Sequence, residues 1–179
     1  MTTIIGLEYE DHAIIIADNQ TTDDSGYIYK HPEVQKISER GQYLVAGSGE
    51  VLPCDIAQHI WEPPAPTKAD KKNLYHFMIA KVMPSLRKCL SDNGYDFNDG
   101  TKDMRFQFLI SVNGEIFDID QECSVSKSDS NVYAAGSGAP YVLGAIHAGA
   151  DAYEAMEIAS KLTAFTAGPY ISKTQSKLI

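Results

Sequence analysis

Basic residues are scarce in this chain. Its 179 residues carry 15 Lys and Arg against 24 Asp and Glu, a net charge of −9. A nucleic-acid binder presents a basic face to phosphates, so the balance argues against that class of partner. Long apolar runs are missing too. Ala13–Ala17 is among the longest, far below the roughly 20 residues that span a bilayer, so no membrane partner is expected. The opening Met-Thr-Thr-Ile-Ile has neither a basic n-region nor a cleavage-like site, so no secretory signal is expected. Three widely spaced cysteines, Cys54, Cys89 and Cys123, form no CxxC. Reduced thiols and a cytoplasmic location are expected, not a disulfide scaffold or a zinc site. The histidines show no HExxH or H-x-H spacing. Asp96, Asn98 and Gly100 misplace the glycine of a calcium loop, and Gln107 stands where its closing Glu belongs. Neither a metal nor a cofactor is expected.

What is present is an ordinary globular balance, 44% hydrophobic and 22% charged, over a length that suits one domain, residues 1–179. The Pro63–Pro66 cluster is too short to divide it and reads as a rigid connector between helices. Strand patterns run over Thr3–Glu10, Ala13–Ala17, Tyr27–Lys30, Gln35–Ser38 and Gln42–Ala46. Helical patterns follow, one after Gly49 and one over Asp70–Ser91 with a kink expected at Pro84. Met104–Val112 and Glu115–Asp120 flank Asn113-Gly114, a hairpin signal. Val132–Ala135 is a strand, and helices follow over Ala139–Ala148 and Ala152–Thr166. Strands segregate from helices, so the fold class is α+β with antiparallel sheets.

Two segments repeat one design: Ala46-Gly47-Ser48-Gly49 and Ala135-Gly136-Ser137-Gly138 each run from strand through Gly-Ser-Gly into helix. Each is a tight turn or a backbone anion site. Leu52 and Tyr141 break the dinucleotide fingerprint, and Ala46 and Ala135 break the hydrolase elbow. Near the start, Thr2 either merely begins a strand or, once Met1 is removed, carries a hydroxyl nucleophile and its own amine base. Asp18 ends an apolar strand and needs a partner. Lys36 lies between apolar neighbours and offers either an ion pair or a cation that depresses the pKa of the Thr2 amine. Asp118 and Asp120 alternate and read as a solvated face.

The order Thr2-Thr3-Ile4-Ile5-Gly6, Ile16-Ala17-Asp18-Asn19-Gln20, Gln35-Lys36-Ile37, Val45-Ala46-Gly47-Ser48-Gly49 and Ala135-Gly136-Ser137-Gly138-Ala139-Pro140-Tyr141 resembles the proteasome β-subunit family. In its brevity it is similar to the bacterial proteasome-related (HslV-type) peptidase. These are N-terminal-nucleophile hydrolases. The resemblance implies a four-layer αββα sandwich of two antiparallel sheets flanked by helices. It implies Thr2 as nucleophile and base, Lys36 as the group tuning the amine, Asp18 orienting Lys36, the Gly47 N–H as oxyanion donor and Ser137 bonding around the amine. It also implies a homo-oligomeric ring of at least six chains, a polypeptide substrate and an ATP-dependent unfoldase as partner. The family's Asp after the last long helix has no counterpart in Ala167–Ser172, where Ser172 is the candidate for the Ser that follows it. A Cβ at Gly47 is expected to crowd the substrate-facing backbone. Two other readings stay open: a catalytically silent ring-forming relative, and an amidohydrolase of small amides.

Overall fold

A computed structural model describes residues 2–22, 25–29, 34–98 and 106–178. Met1, Lys30, His31 and the segment 99–105, with the start of the Met104–Val112 strand pattern, lie outside the described residues. Apolar alternation builds two antiparallel sheets. The first has the order β10-β1-β2-β11, from β1 (Thr3–Glu8), β2 (His12–Asp18), β10 (Val132–Gly136) and β11 (Tyr170–Ser176). The second runs β5-β6-β7-β8-β9, from β5 (Ile37–Arg40), β6 (Tyr43–Gly49), β7 (Phe106–Val112), β8 (Glu115–Ile119) and β9 (Val125–Ser126). A small hairpin pairs β3 (Thr21–Thr22) with β4 (Ile28–Tyr29).

Side chains alternate between sheet faces, so each strand feeds two cores. Ile4, Ile15 and Ala17 meet Ile37, Leu44, Ala46 and Leu109 between the sheets. The residues that alternate with these on the second sheet, Val45, Phe108 and Ile110, pack outward against Trp61, Phe77, Met78 and Leu86 of the first helical layer. Ile5 and Ile16 pack on Val142, Ala155, Met156 and Ala159 of the second. The result is helices, sheet, sheet, helices: the αββα sandwich.

The helical layers are α1 (Val51–Asp55), α2 (Leu74–Phe77), α3 (Met83–Asp92), α4 (Ala139–His147) and α5 (Ala152–Leu162). Between α2 and α3 the chain widens into a π turn over Met78–Val82. Pro84 has no N–H to offer the carbonyl four residues back, and its ring crowds that carbonyl. A π turn opens the ladder at that place, so the expected kink takes this form. α5 starts with a full capping box between Asp151 and Glu154, which satisfies two of its orphan N–H groups. At Asn113-Gly114 both residues have positive φ, 52° and 72°, as a tight hairpin between right-twisted strands requires.

Sequence reading did not find β11. Its residues Tyr-Ile-Ser-Lys-Thr-Gln-Ser carry no apolar alternation. It is the edge of its sheet, where a strand is held by its ladder to β2, and Lys173 pairs with Glu39 of the second sheet at 2.7 Å. The core between the sheets sets stability. Leu109→Ala should lower it by about 2–5 kcal/mol, the usual cost of a buried Leu truncation. The check is a lower urea midpoint with an unchanged m-value.

Candidate active site

The apolar strand β2 ends in Asp18, which has no solvent exposure. Its Oδ1 accepts from two donors: the Lys36 ammonium at 2.8 Å and the Thr3 backbone N–H at 2.8 Å. Its Oδ2 accepts from the Gln20 N–H at 3.2 Å. Lys36 is also buried and donates a second bond to the Gln20 carbonyl. Burial pulls the Lys36 pKa down, against the opposing charge and hydrogen bond of Asp18. From the other side, Gln58 Nε2 donates to the Lys36 carbonyl at 3.0 Å, anchoring the lysine's backbone to the middle of α1's π extension, Ile56–Ile60. One carboxylate oxygen thus ties the buried lysine to the residue that follows Thr2.

Gly47 enters through sheet register. The ladder of β5 on β6 opens at Ile37 and Ala46, the residues next in sequence to Lys36 and to Gly47. Gly47 has no room for a side chain, but not for the reason expected. An added Cβ would lie 2.8 Å from Cys54 Sγ and 2.8 Å from the Phe108 ring. Its Cα face therefore looks into the helical layer, because it shares the parity of Val45, whereas Ala46 faces the other sheet. Gly47→Ala is thus a packing mutation first, and the expectation that its Cβ would crowd the substrate-facing backbone is corrected.

The second Gly-Ser-Gly turn packs on the N-terminal strand. β10 pairs with β1 so that Gly136 faces Thr3. Gly136 has φ +90°, and a Cβ there would overlap the Thr2 carbonyl oxygen. Only glycine permits both the left-handed backbone and the close approach. Ser137 Oγ donates to that same Thr2 carbonyl at 3.4 Å. A Cβ at Gly138, the residue that caps α4, would overlap Thr3 Oγ1. The first turn is different: Gly47 and Ser48 still belong to β6, and the left-handed residue is Gly49, φ +104°.

The structure therefore brings Thr2, Asp18, Lys36, Gly47 and Ser137 into one neighbourhood at the same end of the two sheets. Ser172 is not among them. It pairs with Ile16 on β11, and its Oγ bonds the Tyr153 hydroxyl at 3.1 Å on the α5 side. Strand alternation is the cause: Ile171 takes the intersheet face. Asp118 is corrected as well. It is half-buried, and Gln107 Nε2 donates to both its oxygens at 2.9 and 3.0 Å. Burial raises its pKa. Asp120 instead caps a turn through the N–H groups of Glu122 and Ser124.

Sequence reasoning missed Gln20, Thr166, Gln58 and Cys54. Gln20 sits in Asp18-Asn19-Gln20-Thr21-Thr22, which reads as a polar loop, yet it is buried and spends its side chain on Thr22 Oγ1 and the Ala164 carbonyl. Thr166 bonds Thr3 Oγ1 at 2.5 Å. No pattern in the sequence marks either residue.

No family model and no curated protein matches the chain. Solved structures do. BPH from Thiobacillus denitrificans in complex with epoxomicin aligns over 99% of this chain and 100% of that one, at 20% identity and a TM-score of 0.70. A second BPH structure from Thiobacillus denitrificans gives 0.66 at 20% identity over 98% of both chains. Eukaryotic HslV from Trypanosoma brucei gives 0.64 at 16% identity, over 97% of this chain and 99% of that one. The fold is that of the proteasome-like N-terminal-nucleophile hydrolases. The alignment spans the whole sandwich, so both sheets and both helical layers belong to the shared architecture.

Burial lifts the Cys54 thiol to about 12 and Cys123 to about 11. At pH 8 their thiolate fractions fall to roughly 10⁻⁴ and 10⁻³, and the thiolate is the nucleophile. Cys89 on α3 is half-buried and burial raises its thiol as well, but it lacks the deep enclosure of Cys54, so it should alkylate first with iodoacetamide. Peptide mapping after a time course checks this, and equal labelling of Cys54 and Cys89 would contradict it.

Proposed function

We propose that the chain is a threonine endopeptidase of the N-terminal-nucleophile class, working in a homo-oligomeric ring. The observation that carries this reading is the shared Asp18 Oδ1, which links the Lys36 ammonium to the backbone beside Thr2. An ordinary structural ion pair needs no bond to the second residue of a nucleophile strand. With Met1 removed, the Thr2 amine would take the proton of Thr2 Oγ as that oxygen attacks the peptide carbonyl. Lys36 would hold the amine neutral by like-charge repulsion, and Asp18 would hold Lys36. The Gly47 N–H would receive the oxyanion, a contribution of about 2.7–4 kcal/mol where one such donor is removed. Returning the proton to the leaving nitrogen breaks the peptide bond and leaves an ester on Thr2. Water, deprotonated by the same amine, then releases the acid.

Ser137 would brace this end by holding the Thr2 carbonyl. A polypeptide substrate and an ATP-dependent unfoldase fit the family that the fold resembles. One observation favours the catalytically silent alternative. The loop 163–169 carries no carboxylate, and Ser172 bonds Tyr153 instead of this site.

The test uses chain with a verified Thr2 N-terminus and a fluorogenic peptide panel, with epoxomicin as an inhibitor probe. Wild type should cleave. Thr2→Ala should lose cleavage with a nearly unchanged urea midpoint. Lys36→Ala should lose cleavage by orders of magnitude at neutral pH and also lose about 3–5 kcal/mol of stability, because it strands a fully buried carboxylate. Cleavage by Thr2→Ala at the wild-type rate would reject the nucleophile. Light scattering at micromolar concentration should give a mass of at least six chains, and a monomer or dimer would remove the ring.

A further inference from the structure

The loop that joins α5 to β11, Thr163-Ala164-Phe165-Thr166-Ala167-Gly168-Pro169, carries no charge, yet two bonds, one buried and one part-buried, fasten it to the site. Gln20 Nε2 donates to the Ala164 carbonyl at 2.9 Å. Thr166, 2% exposed, meets Thr3 Oγ1 at 2.5 Å. Followed round, these bonds make a closed circuit. Asp18 holds the Thr3 N–H, Thr3 Oγ1 meets Thr166, the loop backbone leads to Ala164, Gln20 reaches that carbonyl, and the Gln20 N–H returns to Asp18. Gly138 leaves space at the Thr3 and Thr166 hydroxyls that any Cβ would fill.

We propose that Thr166 is a positioning residue, whose hydroxyl fixes the Thr3 side chain and so sets the direction in which the adjoining Thr2 presents its Oγ. The proposal rests on the reading of Thr2 as nucleophile. Thr3 is gripped by its N–H through Asp18, by its strand pairing with Gly136, and by its side chain through Thr166. The first two fix where the strand lies. The third fixes its rotation about its own axis. Removing the Thr166 hydroxyl leaves a buried Thr3 hydroxyl without that partner, which favours a turn of Thr3 toward other acceptors. Thr2 would swing with it. A misplacement near 1 Å at a reacting atom can cost about 100-fold in rate.

The variants are Thr166→Val, close in shape without the hydroxyl, and Thr166→Ser, which keeps it. Each is prepared with a verified Thr2 N-terminus. Peptide cleavage and hydrogen exchange of the Thr3 amide are measured on the same samples. Thr166→Val should lower kcat about 10–100-fold with KM within about twofold. Its Thr3 amide should exchange at least about tenfold faster, while amides of β7 stay protected. Thr166→Ser should restore both to within about threefold of wild type. The proposal is overturned if Thr166→Ser loses as much as Thr166→Val, or if the Thr3 amide of Thr166→Val exchanges like wild type. Wild type that never cleaves would end the peptidase reading, and with it the claim about Thr2; the Thr3 exchange contrast would still decide whether Thr166 holds the strand.

Discussion

A carboxylate with no exposure to water loses its hydration, a cost of several kcal/mol that only close donors offset. Asp18 meets that cost with three: the Lys36 ammonium, the Thr3 N–H and the Gln20 N–H. Because the donors come from three separate segments, burying this one side chain fixes the N-terminal strand, the β2–β3 connection and the entrance to β5 relative to one another. The rest of the site follows from that junction. Lys36 is held at the entrance to β5, whose ladder opens at Ile37 and Ala46, and Thr2 is held where Gly136 and Ser137 meet its carbonyl.

Close backbone approach is the second constraint, and three glycines express it in different ways. Gly136 needs both a left-handed φ and the absence of a Cβ, since the Thr2 carbonyl fills that space. Gly138 gives room to a pair of hydroxyls. Gly47 gives room to the helical layer, against Cys54 and Phe108. The similar Gly-Ser-Gly spelling of the two turns therefore hides unlike jobs. One packs onto the N-terminal strand, and the other lets a helix settle on a sheet.

The fold was legible because it is written in alternation. Ile14-Ile15-Ile16 had to be covered on both faces, and Asn113-Gly114 had to turn. The order of strands and helices excluded a parallel sheet. β11 was illegible because an edge strand needs only a ladder, and its polar residues mark no face. Thr2, Asp18, Lys36, Gly47 and Ser137 were marked as candidates through their order along the chain, and buried bonds from Asp18 and Ser137 bring the N-terminal strand, Lys36 and the second Gly-Ser-Gly turn together. Ser172 failed as a candidate because spacing in sequence does not fix strand parity. On β11 a shift of one residue exchanges the intersheet face for the helix face.

The same limit explains why Gln20 and Thr166 escaped notice. Gln20 follows a strand as a common polar residue, and Thr166 ends the helical pattern of a helix that in fact stops at Leu162; the value of each arises only from what lies across the fold. Thr3 and Thr166 are 163 positions apart, so no local pattern pairs them. A buried polar group must find its partner inside the protein, and once Asp18 places Thr3 in the interior, its hydroxyl requires one. The uncharged loop after α5 supplies it through the Thr166 hydroxyl. A neutral hydroxyl there holds position without adding a negative charge beside Asp18. Lys36 thus keeps Asp18 as its carboxylate partner, and burial can continue to pull its pKa down instead of a second anion raising it.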